Sequence, residues 1–301
     1  MNWCFSFGGG CLRVEGAPKK GMIFPHNGAH RSENSMLIEG HLRKMRTSHG
    51  ETVRYGLLLD DQEISLNELL GSRIRMSFLE KIHCIECGKL TKKSWQQGHC
   101  YPCTLKLASC DVCIVKPELC HYAQGTCREP KWGEDHCMKT HVVYLANSSG
   151  AKVGITRETQ VPTRWMDQGA VQALPIFKVK TRLDSGLVEK MLGEHVADKT
   201  HWQRMLKGDP EPIDLRALAD SIIEQVGEAL KPHITERLDV PAYNFNYPVT
   251  QYPEKVKSLG LDKNPVLEGK LVGIKGQYLI FENGVINIRN HAGYLVRWEV
   301  L

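Results

Sequence analysis

The sequence contains no run approaching the roughly 20 consecutive apolar residues that a membrane-crossing helix needs, and no membrane partner is expected. No stretch repeats at a fixed period, which argues against a solenoid or propeller. Neither sign of charge is in large excess: 39 Lys and Arg stand against 34 Asp and Glu, for a net charge of +5. That balance permits an anionic partner without requiring one. The opening residues, MNWCFSFGGGCLRVEG, lack the basic stretch followed by an apolar stretch that marks a secretion signal. The expected compartment is the reducing cytoplasm. Otherwise the 301 residues, 42% hydrophobic and 24% charged, are unlike a disordered, collagen-like or coiled-coil chain. They suffice for about two domains at roughly 100–200 residues each.

Cysteine is the exception. There are 11, nine of them between Cys84 and Cys137, and an odd, clustered set argues for metal binding over a disulfide framework. Two residues separate Cys84 from Cys87, and two separate Cys100 from Cys103, with 12 residues between the pairs. Each pair lets two thiolates reach one ion from a tight turn, and two pairs complete the tetrahedral sulfur shell that zinc prefers. Gly88 and Gly98 flank the pairs and suit such turns. The expected product is a zinc ribbon or treble clef. Five thiols remain: Cys110, Cys113, Cys120, Cys127 and Cys137, with His121, His136 and His141 among them. Four ligands close a tetrahedral site, so some of these groups are spare. A second zinc is the preferred expectation and an iron–sulfur cluster the alternative. Thiolate shells leave no open position for water, so both centres are expected to be structural.

The remaining pattern is α+β. Residues 1–35, rich in Gly, His, Asn and Ser, read as a flexible N-terminal extension. Residues 36–83 read as a β-rich unit with strands in MLIEGHLRKM, VRYGLLL and IRMSFLEKIH. Residues 84–140 form the zinc-binding segment. Residues 141–208 alternate strands (HVVYLA, KVGIT, ALPIFKVKTR) with helices (PTRWMDQ, DSGLVEKMLGEHVAD), the second helix having Asp184 or Ser185 as its expected N-cap. Residues 209–230 form a further amphipathic helix through Leu215, Leu218, Ile222, Val226 and Leu230. Residues 231–301 form a C-terminal β unit with a hairpin turn at Asn283-Gly284. Aromatics in the connector PAYNFNYPVTQYP are expected to pin it to the core.

The stretch HVVYLANSSGAKVGITRETQVPTRWMDQG resembles the opening of a GIY-YIG nuclease domain, in the divergent branch whose second motif reads Lys-Ile/Val-Gly. The resemblance covers residues 141–201. The wider chain, with its string CHYAQGTCREPKWGEDHC, resembles a bacterial family of unknown function. The nuclease resemblance puts Tyr144 at the first motif's tyrosine and Lys152-Val153-Gly154 at the second motif, with lysine in place of the usual tyrosine. It puts Arg164 at the helix arginine, Glu189 at the metal-binding glutamate, and His201 near the family's frequent asparagine. It implies phosphodiester hydrolysis, with Mg²⁺ or Mn²⁺ at Glu189. In that chemistry a tyrosine activated by neighbouring cations serves as base. Lys152 would lower its pKa, and Arg164 offers a fork of donors to phosphate oxygens.

Each residue also has a structural reading. Tyr144 fits a core aromatic, Lys152 a solvent-facing cation, Arg164 a partner of Asp167, and Glu189 a solvated carboxylate. His195 lies on its helix's apolar face and reads as a core histidine, and Gly154 is explained by close packing. Three functions follow: a metal-dependent nuclease acting on DNA or RNA, a non-catalytic zinc-containing RNA-binding protein, or a protein-interaction module.

Overall fold

The computed structural model of the protein describes residues 37–196 and 201–301. The expectation for residues 1–35 lies outside the described residues. The chain opens with β1 (Leu37–His41), β2 (Arg46–Ser48), β3 (Arg54–Leu59) and β4 (Gln62–Ser65). A 3₁₀ turn at Asn67–Leu69 leads into β5 (Arg73–His83). The cysteine segment has little regular structure: β6 (Leu90–Thr91), α1 (Tyr101–Lys106) and α2 (Pro130–His136). Both helices carry proline in the first turn, where its missing N–H costs no hydrogen bond. Between them the chain runs through short 3₁₀ turns at Ala108–Cys110, Val112–Ile114, Pro117–Leu119 and Tyr122–Gln124.

Regular structure then resumes with β7 (His141–Asn147), β8 (Ala151–Arg157), α3 (Thr163–Asp167), β9 (Gln172–Val179) and α4 (Arg182–Gly193). Next come α5 (Trp202–Met205), α6 (Leu215–Leu230), β10 (Glu236–Arg237) and β11 (Tyr243–Asn244). The chain closes with β12 (Val266–Lys275), β13 (Tyr278–Phe281), β14 (Gly284–Asn287) and β15 (Tyr294–Val300). The N-cap of α4 is Thr181 and neither Asp184 nor Ser185: the Thr181 hydroxyl accepts the Asp184 N–H at 3.1 Å. Asp184 sits three residues on, where an acid completes the cap from inside the first turn. His195, expected in the core, is exposed beyond the end of α4.

Strands from the two ends of the described chain interleave in one antiparallel sheet, ordered β1-β15-β5-β12-β13-β14, with β6 on β5. β5 lies between β15 and β12, pairing Met76 with both Trp298 and Leu267. Trp298, Met76 and Ile74 are fully buried there. A three-stranded sheet, β2-β3-β4, packs into the same core. The remaining sheet runs β10-β9-β7-β8, with β11 also on β9.

β7 is central, all seven of its residues are buried, and its two faces serve different cores. Alternation along a strand sends successive side chains to opposite faces. Val143 and Leu145 meet Val188 and Leu192 of α4 and Leu215, Ala219 and Ile222 of α6. Tyr144 and Ala146 join Trp165 and Met166 of α3 in the core shared with the seven-stranded sheet. Phe245 and Tyr247 are buried in that core, and the Tyr247 hydroxyl donates to the Ala170 carbonyl at 2.7 Å. The Pro- and Tyr-rich connector is thus pinned, as its aromatics led us to expect. None of the described helices is long and apolar enough to cross a membrane.

Candidate functional site

The first cysteine pair lies at the tip of the β5–β6 hairpin, where Ile82 pairs with Thr91 and His83 with Leu90. The turn closes through Gly88 N–H to the Cys84 carbonyl at 2.9 Å, and Gly88 takes the left-handed φ of +67° that such a knuckle requires. The second pair opens α1, with Cys100 as N-cap. One pair thus sits on a hairpin turn and the other at the opening of a helix. The four sulfurs all lie within 4.8 Å of one another, and Cys87 Sγ and Cys100 Sγ are 3.8 Å apart. Tetrahedral bonds of about 2.3 Å to one zinc require sulfurs about 3.8 Å apart. The quartet is therefore compatible with a structural metal such as zinc. Burial pushes the Cys84 thiol up, but backbone N–H groups of Cys87, Cys100 and Glu86 outweigh it and bring the thiol to about 6. The Cys100 N–H donates to Cys84 Sγ at 3.2 Å. Burial and the neighbouring thiols of Cys100 and Cys87 push Cys103 up. Four crowded sulfurs cannot all ionise unless a cation neutralises them.

The other five cysteines divide. Cys113, Cys120, Cys127 and Cys137 line one small cavity together with Asp111, His121 and Trp132. Cys110 is buried beside it but is not in the lining; its electrostatic neighbours are Arg128, Cys84 and Glu86. Of the three histidines, His121 also faces this cavity: its Nε2 lies 3.5 Å from Asp111 Oδ2, and ligand atoms of Asp111, Cys113 and His121 all lie within 4.8 Å of one another. His136 stacks on Trp132 with ring centroids 4.1 Å apart, and His121 Nδ1 meets Thr126 Oγ1 at 2.7 Å. His141 is fully buried and its Nδ1 meets the Lys139 carbonyl at 2.7 Å. Burial lowers His141 to about 4, so it is neutral at pH 7.

On β7, the Tyr144 ring lies across Gly154, its register partner on β8. A Cβ at Gly154 would stand 2.7 Å from the tyrosine Cζ and hydroxyl, so glycine is required for packing. The ring also meets Trp165 edge-on at 5.5 Å, and the hydroxyl donates to Gln168 Oε1 at 3.2 Å. Tyr144 is fully buried. Burial pushes its phenol up; Arg164 and Gln168 pull it back in part, and Glu189 adds to the rise. The expected lowering by neighbouring cations is thus reversed, because desolvating a phenolate costs more than one guanidinium returns. Lys152 pairs with Ala146 across β7–β8, on the face that carries Tyr144, and is half-buried and engaged.

Arg164 is half-buried on α3 and does not pair with Asp167. That carboxylate is taken by Lys44, by Gln277 Nε2 at 2.9 Å and by Thr47 Oγ1 at 3.4 Å. Glu189 is half-buried and engaged on α4, and both Tyr144 and Arg182 feel its charge. His201 is exposed; its backbone N–H donates to Ser149 Oγ at 3.1 Å, in the β7–β8 turn that leads to Lys152.

The structure adds a residue that sequence reasoning missed. Arg289, in the 3₁₀ turn Arg289–His291 between β14 and β15, is half-buried. Burial lowers its pKa, Arg164 lowers it further, and Asp167 opposes. The two guanidinium groups are therefore electrostatic neighbours. No local signal marks Arg289, because its neighbours arrive from elements far away in the chain.

Fold and site together define an α+β protein built round a four-cysteine cluster of metal-binding type. Residues 71–296, about three-quarters of the chain, match the family described as "Protein of unknown function (DUF2797)", and the chain belongs to that family. The matched region runs from just before β5 into β15 and includes the nine cysteines from Cys84 to Cys137. This agrees with the wider of the two resemblances noted in the sequence. No curated protein and no solved structure matches the chain.

Proposed function

We propose that this protein is a metal-dependent enzyme of the GIY-YIG type that hydrolyses phosphodiester bonds in nucleic acid, with thiolate-bound zinc as a structural element. The observation that carries the reading is the juxtaposition of Arg164 and Arg289 with Tyr144 and Glu189 as neighbours. Two guanidinium groups that repel one another are neutralised together by an anion, and their planar forks match phosphate oxygens. The order β7, β8, α3, β9, α4 supports the same reading, since the nuclease resemblance implies strand–strand–helix–strand–helix.

In this account Arg164 and Arg289 hold non-bridging phosphate oxygens, and Lys152 contacts the same strand. The Tyr144 hydroxyl, oriented by Gln168, keeps its own proton and would position the attacking water by hydrogen bonding. Glu189 fits a hard divalent ion, which takes one or two carboxylates and fills its shell with phosphate and water oxygens. Bound there, Mg²⁺ or Mn²⁺ would stabilise charge on the departing oxygen. His201 belongs to the rim, and the cysteine-rich chemistry suits a reducing cytoplasm.

Full burial of Tyr144 favours a second reading, a non-catalytic RNA-binding protein whose site holds phosphate without cutting. One experiment separates the two. End-labelled single- and double-stranded DNA and RNA are incubated with the protein and Mn²⁺. Cleavage that Glu189→Gln abolishes while affinity stays within about twofold supports the enzyme. Salt-dependent binding without cleavage supports the second reading. Arg289→Ala is expected to weaken binding about 10- to 100-fold, the loss of one charge-assisted contact. Neither binding nor cleavage by the wild type contradicts both.

A further inference from the structure

The stretch from Cys84 to Thr140 contributes no residue to any of the three apolar cores, which resume only at Val143. A segment of that length without an apolar core needs cross-links to hold one conformation. The first quartet ties residues 84–103 and leaves the succession of 3₁₀ turns beyond it unsupported. Those turns nevertheless converge: Cys113, Cys120, Cys127 and Cys137, from four different pieces of chain, face one small cavity. Gly133 lets the wall close, since a Cβ there would meet the Tyr122 ring at 2.9 Å and Cys127 Sγ at 3.3 Å.

We propose that Cys113, Cys120, Cys127 and Cys137 bind a second metal centre through four thiolates, and that Cys110 is not a ligand. The ligands are soft sulfur donors, the set that selects zinc or an iron–sulfur cluster over hard cations. Binding displaces one proton from each thiol. Asp111 and His121 also line the cavity and lie with Cys113 within 4.8 Å of one another, but they are held by other groups as well as by each other, His121 Nε2 standing 3.5 Å from Asp111 Oδ2. Asp111 pairs with Arg128 at 2.7 Å and accepts the Val112 N–H at 2.6 Å, while His121 holds Thr126.

A counter-charge is in place. Arg182, the first residue of α4, reaches the backbone of two of the cysteine-bearing pieces. Its guanidinium donates to the carbonyls of Ile114 at 2.6 Å and Cys113 at 3.4 Å, and its backbone N–H donates to the Cys137 carbonyl at 2.8 Å. Four thiolates round one divalent ion carry a net charge of about −2, which this arginine partly offsets. Gly186 presses the same helix against Pro117 and Glu118, with no room for a Cβ. The centre therefore braces the helix that carries Glu189.

The test is elemental analysis of the full chain purified without oxygen or added metal. Two zinc per chain, or one zinc with iron and acid-labile sulfide, supports the proposal, and the second result identifies an iron–sulfur cluster. Cys120→Ser is expected to lose the second centre and keep the first zinc, while Cys110→Ser keeps both. One zinc per chain and no iron in the wild type overturns the proposal. So does loss of the second metal from Cys110→Ser with retention in Cys120→Ser. The wild-type count and the Cys110→Ser result stand even if Cys120→Ser fails to accumulate. None of these readouts depends on nuclease activity.

Discussion

The cysteine segment and the sheets on either side of it are built on different physics. The sheets bury Trp298, Met76, Trp165 and Phe177 almost completely, and their stability is that of apolar area removed from water. The cysteine segment leaves Val112, Val115, Leu119 and Leu105 about half or more exposed and closes on sulfur instead. One region is held by many weak contacts that degrade gradually. The other gathers four thiols in a cluster compatible with a structural metal, whose few strong bonds would fail together. The lesson is that one chain places its fragile element between two robust ones, and sews it to α4 through Arg182.

The largest expected effect breaks the thiol side of this comparison. A structural zinc contributes about 10–16 kcal/mol at neutral pH. Cys100→Ser should therefore make residues 84–140 the first site of proteolytic cutting while the sheets keep their circular dichroism. Uniform resistance to protease in that variant contradicts the division. The next effect breaks the other side. Trp298→Ala should cost about 3–5 kcal/mol in a thermal or denaturant melt, yet leave the zinc content unchanged. Loss of zinc from this variant under native conditions would show that the two regions are not separate.

A smaller effect sharpens the seam. His141 opens β7, four residues after Cys137, with its pKa lowered by burial to about 4. The unfolded chain takes up a proton near pH 6.5 and the folded chain does not. The histidine's contribution is therefore fully present above about pH 6.5 and is lost as pH falls towards 4, by up to about 3 kcal/mol. Protection factors at β7, taken relative to intrinsic exchange at each pH, should fall over that window in the wild type and less in His141→Gln. An equal fall in both would assign the acid sensitivity to other groups.

Legibility in the sequence follows the range of the interaction. The first quartet was readable because each knuckle encodes its geometry within four residues. The strands were readable because alternation is a local signal, as in Leu37–His41 and Tyr294–Val300. Insertion of β5 between β12 and β15 was not, because strand order is set by long-range pairing that no local pattern records. Cap type alone suggested Asp184 or Ser185 on α4. The backbone turns one step earlier, at Thr181, and places Asp184 inside the first turn. At the candidate site, Tyr144 was readable as a residue but its environment was not: burial outweighs Arg164, and only the fold reveals the burial. Arg289 arrives from the β14–β15 turn, and the choice of four thiols among five needed the cavity.

The most direct test of the thiol-held segment is hydrogen exchange resolved along the chain, before and after chelation, with metal removal verified by elemental analysis. The account expects protection to vanish across residues 84–140 and to persist in β5, β7, β9, β12 and β15. Unchanged protection across residues 84–140 in the metal-free protein would contradict it.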